Sequence, residues 1–124
     1  MSTVLIVDDN EKNMKLARDI LRAKGYTTLE AVNGEDSVRM AFKHKPDMVL
    51  MDIQLPDING IEAFGRIRGH ADTAAIPVVA FTASVTANDR SRIGDAGFDA
   101  FLSKPINLKE LVETVRRMLQ PLAP

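Results

Sequence analysis

The chain has 124 residues, of which 45% are hydrophobic, a formal net charge of −1 and no cysteine. A chain of this length makes one globular domain, spanning residues 1–124, that buries about 65% of the surface its unfolded form exposes. With no Lys/Arg run longer than two, it offers no positive field to nucleic acid, and without cysteine it excludes disulfides, thiol catalysis and zinc–thiolate sites.

The chain opens on Thr3-Val-Leu-Ile-Val7, an apolar β-branched run with no basic region before it, which ends abruptly in Asp8-Asp9-Asn10. This run reads as a buried strand and as neither a signal peptide nor an anchor. No later apolar stretch approaches the roughly 18 residues of a membrane helix, so the expectation is a cytoplasmic protein without membrane insertion. Between Asn13 and Lys24, Leu16, Ala17, Ile20 and Leu21 share one helical face opposite Lys15, Arg18, Asp19 and Arg22, and Gly25 follows as a left-handed stop. Tyr26 to Val32 holds a second strand. Asn33-Gly34 opens a second helix with Val38, Ala41 and Phe42 inward, broken at Pro46.

Met48-Val-Leu-Met51 has no polar alternation and is bounded by prolines at 46 and 56, as suits a strand buried on both faces, with Asp52 at its tip. Gln54 to Gly60 is a turn-rich loop carrying Pro56, Asp57 and Asn59, and a third helix runs from it through Arg68. Ile76 to Phe81 is a fourth strand that Thr82 terminates. Thr86-Ala-Asn-Asp89 has the form of a capping box for a helix from Ala87 to Ala96, with Gly97 as its stop. Ala100 to Ser103 is the fifth strand, followed by Lys104-Pro105. Asn107 then caps a last helix whose stripe is Leu108, Leu111, Val112, Val115, Met118 and Leu119.

Alternating β and α units imply an α/β fold, a doubly wound five-stranded parallel sheet covered by helices on both sides, and the order 2-1-3-4-5 is the simplest account. In that order the strands ending in Asp8-Asp9, Asp52, Thr82 and Lys104 stand side by side, on the rim where open α/β sheets bind ligands. Three carboxylates there repel one another unless a cation intervenes. All-oxygen donors point to Mg²⁺, with Asp9 and Asp52 as ligands and Asp8 nearby, in contact directly or through water. A carboxylate beside Mg²⁺ can act as a nucleophile toward phosphorus, with Lys104 neutralising phosphoryl oxygens and the Thr82 hydroxyl donating to one of them.

Taken with their spacings, Val7-Asp8-Asp9-Asn10, Met51-Asp52-Ile-Gln-Leu-Pro56, Gly60, Thr82-Ala83 and Lys104-Pro105 resemble the receiver domain of two-component response regulators, a flavodoxin-like fold. Thr82 follows Asp52 by 30 residues and Lys104 follows Thr82 by 22. The resemblance covers essentially the whole chain. It implies that Asp52 is the phosphoacceptor from a histidine kinase or phosphotransfer protein, that Mg²⁺ is the cofactor, and that the backbone carbonyl of Gln54 completes the metal shell. It also implies Thr82 and Phe101 as a switch pair and a cis Lys104–Pro105 bond. The protein is then a signalling receiver and not an enzyme, at most catalysing its own phosphorylation and a slow autodephosphorylation. Its partners are kinases, phosphatases or phosphotransfer proteins, and it is a monomer or weak dimer. Asp-Asn-Glu-Lys-Asn-Met-Lys-Leu16 and Met-Asp-Ile-Gln-Leu-Pro56 resemble more particularly stand-alone receivers of the cell-division kind, and Asp-Asn-x-x-Asn and Met-Asp-x-Gln-x-Pro also resemble receivers within hybrid histidine kinases.

Other readings of the same residues exist. An aspartyl-phosphate hydrolase of the haloacid-dehalogenase type also uses Asp, Mg²⁺ and Lys, but resembles Asp-x-Asp, and here the second place is Gln54. A flavodoxin-like flavin carrier shares the fold, yet Asp8, Asp9 and Glu11 would repel an FMN phosphate. Phe101, Met48 and Met51 are core by default, while His44 and His70 lie in polar segments and read as solvated. Gly34, Gly60 and Gly97 read as backbone punctuation.

Overall fold

The computed structural model describes residues 2–83 and 87–119, and of 87–90 the backbone alone. Five strands, β1 (Thr3–Val7), β2 (Thr27–Ala31), β3 (Met48–Asp52), β4 (Val78–Thr82) and β5 (Ala100–Ser103), alternate with α1 (Glu11–Ala23), α2 (Gly34–His44), α3 (Gly60–Arg68), α4 (Ala87–Ala96) and α5 (Leu108–Leu119). The sheet has the order β2-β1-β3-β4-β5, and every adjacent pair is parallel. The apolar runs are uninterrupted because both faces of the sheet are covered. Val4, Ile6, Leu50 and Val79 pack against Met14, Ala17 and Leu21 of α1 and Leu111 and Val115 of α5. The alternate residues Leu5, Val7, Val49 and Met51 pack against Val38 and Ala41 of α2 and Ala63, Phe64 and Ile67 of α3.

Several boundaries and faces differ from the expectation. Helix α1 starts earlier, at Glu11, because the Asn10 side chain accepts from Asn13 N–H and its carbonyl from Met14 N–H. Met14, three residues before Ala17 and seven before Leu21, joins their buried face, and Leu16 is turned out at 47% exposure. Strand β4 begins at Val78 rather than Ile76. Ile76 is held in a turn by its N–H on Thr73 O, and Pro77 has no N–H to give the ladder, although its carbonyl accepts from Val49. Thr82 is the last residue of that strand, in register with Ser103. Helix α5 starts under the expected Asn107 cap, but its first-turn Leu108 is 57% exposed, while Thr114 is buried. Phe42 is also more than a third exposed and lies against His70, with ring centroids 4.7 Å apart. Gly25 and Gly97 take the left-handed backbone expected of helix stops, and Lys104–Pro105 is cis. The capping residue Thr86 lies outside the described residues.

Candidate functional site

Four neighbouring strands, β1, β3, β4 and β5, deliver their polar residues to the same end of the sheet. Asp8 and Asp9 follow β1, Asp52 and Thr82 close β3 and β4, and Lys104 follows β5. One carboxylate oxygen from each of Asp8, Asp9 and Asp52 lies within 4.8 Å of the other two. Lys104 Nζ stands 3.1 Å from Asp52 Oδ2 and 3.0 Å from Asp8 Oδ2. Its position follows from the backbone: Lys104 N–H donates to the Thr82 carbonyl at 2.9 Å, extending the β4–β5 ladder one residue beyond the strand. The ammonium also sits 5.3 Å from the centre of the Phe81 ring, a favourable cation–π placement. The sequence expectation that acid, hydroxyl and amine groups gather on one rim is met for Asp8, Asp9, Asp52 and Lys104 by distance and for Thr82 by register.

Charge does not balance here. Asp52 is almost fully buried, and burial together with the neighbouring Asp8 pushes its carboxyl up to about 6, against the lowering pull of Lys104 and of the Gln54 N–H. Burial also works against the Lys104 charge, but Asp8 and Asp52 outweigh it and hold the ammonium above its ordinary value. Asp8 Oδ1 accepts from Asn10 N–H at 2.9 Å. Asp8 Oδ2 has the ion-pair contact with Lys104 but no hydrogen-bond donor in good geometry, although it is buried. A buried carboxylate oxygen that shares a single ammonium with Asp52, in a three-acid cluster, is where a hard cation fits. The donor set, oxygen alone and open to water through the exposed Asp9, suits Mg²⁺.

The loop after β3 is clamped to the site from below. Gly60, the first residue of α3, lies so close to the Asp52 carbonyl that a Cβ there would stand 2.2 Å from it, and its N–H donates to Ile53 O at 2.8 Å. Gly34 likewise has no room for a Cβ, which would meet Ile58. These two glycines serve close approach, and of the three read as punctuation only Gly97 uses a positive φ. Gln54 N–H donates to Asp52 Oδ1 at 3.0 Å, holding one carboxylate oxygen while Lys104 holds the other. Phe101 is partly buried rather than core, on β5 in register with Ala80, and with Ile93, Gly94, Phe98 and Ala100 it lines a groove of about 320 Å³. Both histidines are exposed. Asp57, read from the sequence as a turn residue, accepts from the Gly34 and Glu35 N–H groups at 2.7 and 2.8 Å. Nothing local signals that contact, because its partners lie 22 and 23 residues upstream.

The response regulator receiver domain profile matches residues 4–116. The polar-differentiation response regulator DivK of Brucella anthropi is 42% identical over 117 residues, which are 94% of this chain and 95% of that protein. DivK of Brucella ovis is 41% identical over the same shares. Among solved structures, a putative response regulator from Chloroflexus aurantiacus superposes with a TM-score of 0.91 at 32% identity, covering 97% of this chain and 98% of that one. The receiver domain of a sensor histidine kinase from Pseudomonas aeruginosa, which holds a magnesium ion in its active-site cleft, superposes with a TM-score of 0.90 at 31% identity over the same shares.

Proposed function

Because the chain belongs to the response regulator receiver domain family, a signalling family, we propose that it accepts a phosphoryl group on Asp52 and switches partner binding in response. The donor is a phosphohistidine on a histidine kinase or phosphotransfer protein. An Asp52 oxygen attacks phosphorus, the P–N bond breaks with its electron pair left on the imidazole nitrogen, and an aspartyl phosphate forms. With its carboxyl at about 6, Asp52 is ionised and nucleophilic at neutral pH. Lys104 neutralises phosphoryl oxygens, and the Thr82 hydroxyl donates to one of them.

The residues that would hold Mg²⁺ are Asp9, Asp52 and the Gln54 backbone carbonyl, with Asp8 bound directly or through water. When bound, the ion neutralises charge on the phosphoryl oxygens. Afterwards Thr82 moves toward the new charge, Phe101 follows, and the population shifts toward the state that partners prefer on the face of α4, β5 and α5. Gln54 puts an amide where a hydrolase of aspartyl phosphates has an acid, so autodephosphorylation is slow.

The likeness to DivK supports a stand-alone, single-domain regulator of cell division or polarity, cytoplasmic, and monomeric or weakly dimeric. Among the described residues no helix is long and apolar enough to cross a membrane. The observation that carries the reading is the three-acid cluster of Asp8, Asp9 and Asp52, with Lys104 bridging Asp8 and Asp52. The test is incubation with Mg²⁺ and a small acyl phosphate followed by intact mass. Wild type is expected to gain one phosphoryl group and Asp52→Asn none; equal uptake by both removes Asp52 from its role.

A further inference from the structure

The first turn of α2 has its backbone donors satisfied from two sources. Asn33 Oδ1 accepts from Asp36 N–H at 2.7 Å, and Ser37 N–H reaches the Asn33 carbonyl, as an ordinary cap would arrange. The Gly34 and Glu35 N–H groups are taken instead by the two carboxylate oxygens of Asp57, which arrives from the loop after β3. A carboxylate on two N–H groups at a helix start gains from both the hydrogen bonds and the helix dipole. Burial alone would raise the Asp57 carboxyl, but the Glu35 and Gly34 N–H groups outweigh it and hold it below its ordinary value. The contact is reinforced beside it: Ile58 packs on Gly34 where a Cβ would not fit, and Arg66 of α3 pairs with Glu35 at 2.8 Å.

The loop tethered in this way, residues 53–59, is the one that carries Gln54. At its ends it is held by Gln54 N–H on Asp52 and by Gly60 N–H on Ile53. Between those points Asp57 ties it to α2 by two hydrogen bonds, with Ile58 packed on Gly34 beside them. We propose that Asp57 is a positioning residue for the metal site, fixing the loop on α2 so that the Gln54 backbone is presented to the ion at no ordering cost when the ion binds. This inference rests on the reading of Asp9, Asp52 and Gln54 as the metal ligands. Asp57 itself does not touch the ion.

The test is calorimetric titration of Mg²⁺ into the unphosphorylated protein, at low and high ionic strength, with amide hydrogen exchange followed at Gly34 and Glu35. Asp57→Ala is expected to weaken Mg²⁺ binding about tenfold, the usual loss for an outer support of a metal site, and to speed exchange at both amides. Asp57→Asn loses the same charge but keeps one acceptor, so it should recover part of the affinity. Glu35→Ala keeps its N–H and loses only an exposed pair with Arg66, which is worth little, so it should bind nearly as wild type does. Equal weakening in Asp57→Ala and Asp57→Asn that fades with salt would assign the effect to charge alone and overturn the proposal. So would wild-type affinity in Asp57→Ala, or unchanged exchange at Gly34 and Glu35. Failure of the wild type to bind Mg²⁺ would overturn the metal reading itself, and this proposal with it.

Discussion

The two ends of the sheet both carry charged side chains, and they treat them in opposite ways. At the amino end Asp99 Oδ2 accepts from Arg68 Nη2 and from Val78 N–H, each at 2.7 Å, and Asp47 Oδ2 accepts from Thr3 N–H at 2.7 Å. Arg68 also donates to Ala74 O and lies over the Phe64 ring. Each acid there has partners for the charge it brings. At the carboxyl end three acids crowd together with Lys104 reaching only Asp8 and Asp52, and Asp52 is pushed up to about 6. One end spends its polar groups on holding the chain. The other keeps an unresolved charge that a cation and a phosphoryl group can use.

The largest blow to this contrast is Lys104→Ala. With three carboxylates left facing one another, the Mg²⁺-free protein should lose about 3 kcal/mol at neutral pH, as when one partner of a buried pair is removed. Urea denaturation reads it, and a loss below about 0.5 kcal/mol, within the surface-substitution range, would mean that the rim is not held together by that ammonium.

Asp52→Asn should move stability the other way. The folded carboxyl titrates at about 6 and the unfolded one near 3.8, so between those values the folded protein holds a proton that the unfolded chain has released. Protonation therefore contributes stability that is complete below the unfolded value and is lost as pH rises through 6. Asn does not titrate, so the variant should be more stable by about 1–2 kcal/mol at pH 8, with the gap closing as pH falls toward 4. Denaturation midpoints across that range check it, and a pH-independent gap would contradict it.

The smallest effect is at the opposite end, where Asp99→Asn should destabilise by about 1 kcal/mol, discounted because the pair with Arg68 is a third exposed. The contrast is sharpest in the signs: removing a carboxylate stabilises one end of the sheet and weakens the other. Should Asp52→Asn and Asp99→Asn shift the midpoint in the same direction at pH 8, the contrast fails.

Strands β1, β3 and β4, the polar residues at their tips and the doubly wound order could be read from the sequence, because a two-sided sheet writes itself as unbroken apolar runs and the crossover rules leave few arrangements; edge strand β2, Thr27-Thr-Leu-Glu-Ala31, is no such run. The acids, Lys104 and Thr82 were legible for the same reason, each lying where such a run stops. Helix faces were less so: in α1 the buried face runs through Met14, Ala17 and Leu21 and leaves Leu16 out, since a helix turns about 100° per residue and packing on the sheet picks which edge of the apolar stripe is covered. What the tertiary structure alone decided are pairings across the chain. They include Asp57 on the start of α2, Gly60 beneath the Asp52 carbonyl, Asp99 between Arg68 and Val78, and the reach of Lys104 to two acids on two other strands. Periodicity reports which side a residue faces, but a contact between residues tens of positions apart exists only once the sheet has set their distance.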